Sequence, residues 1–406
     1  MAAVFVFTGD LMCLVPQNKA SRMRDGSYNY DRIFTYVSSS LEDADYVIGN
    51  LETPLAGREL GYTFEQTVFN TPKEFAISAY NSGIDCFTLA NNHILDRGII
   101  GLKNTVANIK SIGADYIGAY QNLVEANSIL IKEFDGIKVA ILSFTYGTNS
   151  EWRNNALDDS TDYSVDLLRK QDPYNGIKVD PVKAKIKNVI KSILPQSIRE
   201  KIRPIVSEDC VEGNLQVIGD EKYILRLKEK IRKAKESSDY VVMCMHSGGQ
   251  YNSQIGSYTR DIAHKIIDCG CDLIIGNHPH CVLEYEIYKD KLITYSLGNF
   301  CFTPNWGFYY KGVYADYSLL LKLYLQRDEK GLLKQRIGII PLKCVKERDG
   351  NSVVYPIRTL INQYGEKIKK KTYDDVKKVI RRFLKRDIDV KDLSMTSEID
   401  ITNYLI

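Results

Sequence analysis

Five apolar, strand-like runs in this 406-residue chain each stop at side chains that can bind a metal. The chain has only five histidines, and four of them lie in these motifs. In open α/β sheets the ligand crevice lies outside the carboxyl ends of the strands, so residues far apart in sequence can meet there. We therefore predict one metal site built from the residues at these ends, which are Asp10, Glu52, Asn92, His246, His278 and His280.

The remaining pattern predicts an α/β fold, with βα units around a mostly parallel or mixed sheet. A helix is predicted over Ile99–Ile112, ended by Gly113, and two more over Lys222–Ser237 and Tyr258–Cys269. Two long apolar runs at Tyr314–Gln326 and Gln335–Cys344 predict a closing hairpin. Strands are predicted at Val4–Thr8, Tyr46–Gly49, Cys86–Ala90, Val139–Phe144, Tyr240–Met245, Asp272–Ile275 and Leu292–Ser296.

The alternation of strand-like and helix-like segments is interrupted in two places, and these interruptions define the predicted domains. Residues 150–220 run from an acidic stretch into a basic one, Lys183–Arg203, and are interpreted as an insertion in a catalytic domain over residues 1–345. Residues 346–406 form a basic, mainly helical C-terminal extension. Base rates favour a solvated helix face over a binding role for its charges.

Composition narrows the class of protein. The net charge of +3 gives no global argument for nucleic-acid binding, and the basic tail lacks interleaved aromatic residues. No apolar run approaches the length of a membrane-spanning helix, and the N-terminus lacks the basic region of a signal peptide. Nine scattered cysteines favour free thiols in a reducing compartment. We expect a protein without an integral membrane segment, located in the cytoplasm or at the membrane periphery.

Taken singly, each polar residue has a simpler explanation. A lone Asp after a strand is usually a turn or cap residue, and a lone buried His is usually structural. Together, carboxylates, an amide oxygen and imidazoles suit Zn, Mn or Fe. Six ligands exceed the need of one tetrahedral zinc, which favours two divalent transition metals. His93 is then available as a general acid, or it contributes another structural hydrogen bond.

Six short motifs give the chain a family resemblance. They resemble the bacterial capsule-synthesis family named for the poly-γ-glutamate protein CapA, over residues 4–145 and 238–303. The motifs are Thr8-Gly-Asp10, Asn50-Leu-Glu52, Ala90-Asn-Asn-His-Ile-Leu-Asp-Arg-Gly98, His246-Ser-Gly, Gly276-Asn-His-Pro-His280 and Tyr295-Ser-Leu-Gly-Asn-Phe300.

That family is similar in turn to the calcineurin-like metallophosphoesterases. The resemblance implies a four-layer α/β/β/α sandwich of two mixed sheets, with two metals at the strand ends. It implies that Asp10 and His280 hold one metal and that Glu52 bridges to a second. The ligands implied for the second metal are Asn92, His246 and His278.

The sequence departs from these families at three positions. Met12 stands where the phosphoesterase motif Asp-x-His has its histidine, Gln250 replaces a glutamate, and Asn277 replaces a histidine. Substrate contacts are expected from residues near the motif ends, namely Arg97, Gln250, Tyr251 and Asn299.

Two functions are compatible with this sequence. The first is a metal-dependent hydrolase that cleaves a phosphoester or amide in capsule, poly-γ-glutamate or cell-surface polysaccharide biosynthesis, with an anionic polymer or a phosphorylated or glutamyl substrate. The second is a non-catalytic assembly factor that holds the polymer and docks capsule-synthase subunits. Met12 and Gln250 favour the second modestly.

Overall fold

The computed structural model describes most of the chain. The described residues are 2–63, 68–174, 189, 209–210, 220–301, 312–348, 350–363, 365–387 and 398–405. The basic stretch Lys183–Arg203 of the predicted insertion lies outside them, apart from Val189.

Strands and helices of the described residues alternate up to Thr145 and again from Glu221, as the hydrophobic pattern predicts. The strands are β1 Ala3–Leu11, β2 Tyr46–Leu51, β3 Cys86–Thr88, β4 Asp115–Ile117, β5 Leu130–Phe134, β6 Ile137–Thr145, β7 Tyr240–His246, β8 Leu273–Asn277, β9 Tyr285–Tyr288, β10 Lys291–Thr294, β11 Tyr317–Arg327, β12 Leu333–Lys346, β13 Ser352–Pro356 and β14 Ile399–Asp400. The described helices are α1 Val15–Ala20, α2 Asp31–Phe34, α3 Glu74–Asn81, α4 Gly98–Ile112, α5 Leu123–Ala126, α6 Ser150–Arg153, α7 Glu221–Ser237, α8 Ser257–Asp268, α9 Ile357–Gln363 and α10 Glu366–Leu384.

These strands form two mixed sheets. In the first, β1 to β4 run parallel to one another, while β11, β12 and β13 add antiparallel strands beyond β1. In the second, β6, β7, β8 and β10 are parallel, and β5 and β9 are antiparallel edge strands. The predicted hairpin is confirmed as the antiparallel pair of β11 and β12.

The two sheets pack face to face, with helices on their outer faces. Successive strand residues point to opposite sides, so Phe5 and Phe7 lie between the sheets while Val6 faces α3 and α4. Likewise Ile141 lies between the sheets and Leu142 packs with α7 and α8. This arrangement is the α/β/β/α sandwich of two mixed sheets that the resemblance implied, and it explains strands that are apolar on both faces.

The predicted C-terminal extension packs against the domain that precedes it. β13 and β14 both pair with β12, and the apolar face of α10, including Val376 and Phe383, is buried in the cluster between the sheets. Among the described helices, none is both long and apolar enough to span a membrane. All nine cysteines have free thiols, as predicted.

Candidate metal centre

The carboxyl ends of the parallel strands from both sheets meet at one edge of the sandwich. Asp10 lies near the end of β1 and forms an isolated bridge with Asn299, and its main-chain N–H donates to the Gly298 carbonyl at 3.0 Å. A Cβ atom on Gly9 would lie 2.0 Å from that carbonyl oxygen, so only glycine permits this approach. Tight backbone contact thus brings Asp10 to the loops of the second sheet.

Five buried side chains at this edge form two donor groups. The first donor group consists of Asp10, Glu52 and His280, and the second of Glu52, His246 and His278. Within each group one ligand atom from every residue lies within 4.8 Å of the others. Glu52 belongs to both, which is the arrangement that a bridging carboxylate requires.

The second donor group converges on one ring nitrogen. His246 Nε2 lies 3.1 Å from His278 Nδ1, 3.5 Å from Glu52 Oε1 and 2.8 Å from the Asn92 side-chain oxygen. Atoms that carry lone pairs surround this nitrogen, and one ring proton cannot satisfy all of them. A cation among them would, so the donor set fits a metal.

Asn299 sets the orientation of His280 in the first donor group. Its amide nitrogen donates to the carbonyls of His280, at 3.0 Å, and Ala315, at 3.2 Å, so its side-chain oxygen faces His280 Nδ1 at 3.0 Å as an acceptor. Nδ1 therefore carries the ring hydrogen, and Nε2, the other ring nitrogen, lies 3.6 Å from Glu52 Oε1.

Glu52 is the least satisfied group of the site. It is fully buried, and neither carboxylate oxygen has a hydrogen-bond partner among the described residues. A buried charge without partners is costly, and buried carboxylates are normally paired or bound to metals. Burial, and then the neighbouring Asp10, raise the pKa of Glu52 well above its ordinary value.

The other donors are poised in the states that metals bind. Burial lowers the pKa of His246 to about 3. Burial, together with His246 and His280, also lowers the pKa of His278 well below its ordinary value, so both rings are neutral near pH 7. Burial acts to raise the pKa of Asp10, but the hydrogen bond with His280 and the nearby His246 hold it below its ordinary value.

The loop that carries two of the histidines is held in a backbone conformation that side chains rarely adopt. His278 has φ of 102° and His280 has φ of 56°. Such conformations cost about 1–3 kcal/mol each and cluster at functional sites. Just before them, a Cβ on Gly276 would lie 2.3 Å from the Tyr295 carbonyl oxygen, which fixes the course of this loop.

His93 lies beside the donors as half of a histidine–aspartate pair. Its Nδ1 is 2.8 Å from Asp96 Oδ2, which also accepts the Phe69 main-chain N–H at 2.7 Å. Since a carboxylate accepts, Nδ1 carries the hydrogen, and Nε2 faces Glu52 Oε1 at 4.0 Å. Sequence reasoning did not single out Asp96, although the His-x-x-Asp spacing was visible.

Two further contacts were missed for lack of a sequence signal. Asn50 donates to Asp10 Oδ1 at 2.7 Å and so orients that carboxylate. The ring of Tyr146, which follows β6, lies against His278 with centroids 4.9 Å apart. Neither residue belongs to the two donor groups, but both contact a member of them.

The four residues predicted to contact substrate lie in different settings. Tyr251 packs its ring against His280, with centroids 5.2 Å apart, and Gln250 precedes it on an exposed turn. Arg97 is partly buried, and its Nε donates to the Gly61 carbonyl at 3.3 Å. Asn299 is fully buried. Their part in substrate binding stays a prediction, as do the individual roles of the metal-site residues.

Met12 is buried in the apolar cluster that packs on the second sheet. Its thioether is a weak ligand compared with the imidazole found at this position in the Asp-x-His motif. The first donor group therefore has one strong donor fewer than that motif supplies.

Comparison with known proteins places this site in a family. Residues 4–304 match the family described as bacterial capsule synthesis protein PGA_cap. The chain belongs to this family. The match includes every residue of both donor groups and ends before β11.

Two curated relatives share about a quarter of their aligned residues with this chain. It is 27% identical over 286 residues to the capsule biosynthesis protein CapA of Bacillus anthracis, covering 69% of this chain and 56% of that protein. It is 26% identical over 302 residues to the PGA biosynthesis protein CapA of Bacillus subtilis, and the alignment covers 74% of this chain and 63% of that protein. The chain thus corresponds to less than two thirds of either relative.

Solved structures are similar only at a coarse level. A putative 5'-nucleotidase from Staphylococcus aureus aligns with a TM-score of 0.43 and 12% identity over 92% of this chain and 58% of that one. The 5'-nucleotidase of Candida albicans aligns with a TM-score of 0.37 and 11% identity over 82% of this chain and 50% of that one.

Proposed function

We propose that this chain is a CapA-like metal-dependent hydrolase of phosphoesterase or amidase type, acting in capsule, poly-γ-glutamate or cell-surface polysaccharide biosynthesis. Membership of the PGA_cap family supports the biological setting. The observation that carries the chemistry is Glu52, buried without a hydrogen-bond partner among the described residues and shared by two donor groups.

The site fits two divalent transition metals, Mn, Zn or Fe. Asp10, Glu52 and His280 would hold one of them. Glu52, His246, His278 and the side-chain oxygen of Asn92 would hold the other. Bound there, such metals polarise the scissile group and lower the pKa of a water nucleophile.

In this proposal His93 is the general acid. Asp96 fixes the hydrogen on Nδ1, so the proton that moves is held at Nε2, the ring atom that faces the donor groups. Such a histidine would protonate the leaving oxygen or nitrogen as the bond breaks. Tyr251, packed on His280, would form one wall for the substrate, and Arg97 would attract its negative charge.

The test combines metal content with turnover. Wild-type protein and Glu52→Gln would be purified without chelators, analysed by elemental mass spectrometry, and assayed on a panel of phosphoesters and glutamyl peptides. We expect about two metals per wild-type chain, few in the variant, and turnover of at least one substrate by wild type only. Metal-loaded wild type that cleaves nothing in the panel would refute the hydrolase.

A second candidate, a non-catalytic assembly factor that holds the polymer and docks a capsule-synthase subunit, rests on Met12. Its burial in an apolar cluster leaves the first donor group with three donors. Full biological function of His93→Ala, together with a stable synthase partner in pull-downs, would favour this candidate over catalysis.

A further inference from the structure

One face of α10 carries five exposed cations, with the exposed Asp374 among them. The opposite face is apolar and buried through Val376, Val379 and Phe383. With 3.6 residues per turn, residues spaced by three, four, seven or eleven share a face. The exposed cations on this face, called here the cationic face, are Lys370, Lys371, Lys377, Lys378 and Arg381.

The cationic face differs from an ordinary solvated basic helix. On α7, Arg232 lies 2.8 Å from Glu229 and 2.5 Å from Glu236, so its charge is balanced on the same helix. In contrast, within the described part of the chain no carboxylate lies within 4 Å of the amino groups of Lys370, Lys371 or Lys377. Asp374 and Asp375 lie on the same helix, but neither is within 4 Å of these three amino groups, so the charge of this face is less closely balanced than that of Arg232.

The same helix is anchored to the loops of the metal centre. Arg382 donates to the carbonyls of Val282, at 3.3 Å, Val313, at 2.9 Å, and Gly312. Val282 follows His280 by two residues. Lys378 and Lys371 precede Arg382 by four and eleven residues, so they lie on the side of α10 that borders these loops.

We propose that the cationic face binds an extended polycarboxylate chain and leads it to the metal centre. The idea rests on the proposed function, since it names the polymer on which that site would act. The cationic face, from Lys370 to Arg381, spans about 17 Å at 1.5 Å per residue, enough for several successive carboxylates. α10 lies outside the family match at residues 4–304, so the surface belongs to this chain rather than to the matched family region.

Two other anionic partners fit less well. An interfacial membrane helix inserts its apolar face into lipid, but that face of α10 is buried against the sheets. Single-stranded nucleic acid is held by aromatic stacking as well as charge, and the exposed positions from Lys370 to Arg386 carry no aromatic ring.

The experiment measures binding of fluorescein-labelled polyglutamate to the full, metal-loaded chain at low and high salt. The test variant changes Lys370, Lys371, Lys377 and Lys378 to Gln. Its control changes four scattered exposed lysines to Gln, which lowers the net charge equally; these are Lys103, Lys228, Lys265 and Lys330. We expect about tenfold weaker binding in the test variant at low salt, and less than about twofold in the control, with the difference fading at high salt.

Three results would overturn the proposal. The test and control variants could lose polyglutamate binding equally, or wild type could bind a DNA oligonucleotide more tightly than polyglutamate. The test variant could also lose binding to anionic lipid vesicles while it keeps its binding to polyglutamate. Turnover of a small substrate, measured in parallel, should not change in the test variant. Wild type that binds polyglutamate through this face but hydrolyses nothing would refute the hydrolase while leaving the binding surface standing.

Discussion

The two donor groups share Glu52 and one pocket, yet they differ in chemistry. The first donor group sets two carboxylates, Asp10 and Glu52, around one imidazole. The second sets two imidazoles, His246 and His278, around that shared carboxylate, with the Asn92 oxygen 2.8 Å from His246 Nε2. The first group has more carboxylate oxygens and more negative charge. The second group has more ring nitrogens and, with Asn92, more ligand atoms in total.

The two halves of a two-metal site can therefore bind their metals with different affinities. Nitrogen donors favour Zn or Fe, whereas carboxylates also accept harder ions such as Mn. With Met12 in place of an imidazole donor, the first donor group should bind its metal more weakly. Removing or adding a single donor should reveal this inequality.

Removing one histidine from each donor group in turn should lower metal binding by the two groups to different extents. His280→Ala leaves the first group with carboxylates alone, so we expect about one metal per chain instead of about two, whatever the metal supplied. His278→Ala leaves Asn92, Glu52 and His246, so the second metal should return at high concentration. Both variants should lose more than about 100-fold in turnover. Equal metal loss in the two variants, by elemental analysis at limiting and excess metal, would contradict the inequality.

The histidine–aspartate pair stands beside the second donor group and should affect chemistry without affecting metals. Asp96→Asn removes the acceptor that holds His93 Nδ1, so kcat should fall about 10- to 100-fold. Metal content should stay unchanged and the pH profile of kcat should shift. Asp158→Asn, at an exposed position, is the control and should behave as wild type. Metal loss in Asp96→Asn would make Asp96 a structural support only.

Met12→His should make the two donor groups more alike. The new imidazole would stand two residues after Asp10, directly after the end of β1. We expect about tenfold tighter binding of the weaker metal, measured by competition with a chromogenic chelator. Met12→Leu controls for the loss of methionine packing and should change nothing. Unchanged affinity in the histidine variant would show that position 12 does not limit the first group.

The smallest effect should appear in the metal-free protein, where the buried carboxylate of Glu52 lowers the free energy of unfolding. Because folding raises the pKa of Glu52, the unfolded state releases its proton first as the pH rises above the ordinary value of 4.5. Glu52 therefore lowers stability increasingly as the pH rises from there through its folded pKa. Glu52→Gln should raise the Tm of chelated protein at pH 8 by a few degrees, about 1 kcal/mol or more.

That gain should vanish below about pH 4.5 and reverse when metal is supplied, because only wild type is then stabilised by the ligand. Calorimetry with and without chelator measures both signs. A Glu52→Gln variant that is less stable than wild type in chelator at pH 8 would mean that Glu52 has a partner other than metal.

Much of the fold and of the site could be predicted because strong local patterns coincide with the buried strands. β1, β2, β6 and β7 appear as continuous apolar runs, and their ends place Asp10, Glu52 and His246 correctly at one edge. Gly113, with φ of 87°, ends α4 as predicted. Strand ends and the few histidines were enough because parallel strands bring their carboxyl ends together.

The residues that were missed depend on tertiary packing. β5 is an edge strand with an irregular polar pattern, although the turn Asp135-Gly136, with φ of 50° and 69°, is a hairpin signal. Asn50 and Tyr146 touch donors only after two sheets have been packed, so neither had a local signature. The two-residue strand β14 gains its place solely by pairing with β12.

The long span between donors has a consequence for how the protein is made. The main-chain N–H of His278 donates to Asp10 Oδ2 at 3.3 Å across 268 positions of sequence, and each donor group draws on both sheets. A nascent chain therefore carries no complete donor group until β8 and its following loop have left the ribosome, roughly 10–50 seconds after β1 at about 5–20 residues per second. Metal acquisition would accordingly require this loop, and chains truncated before His278 would carry no complete donor group.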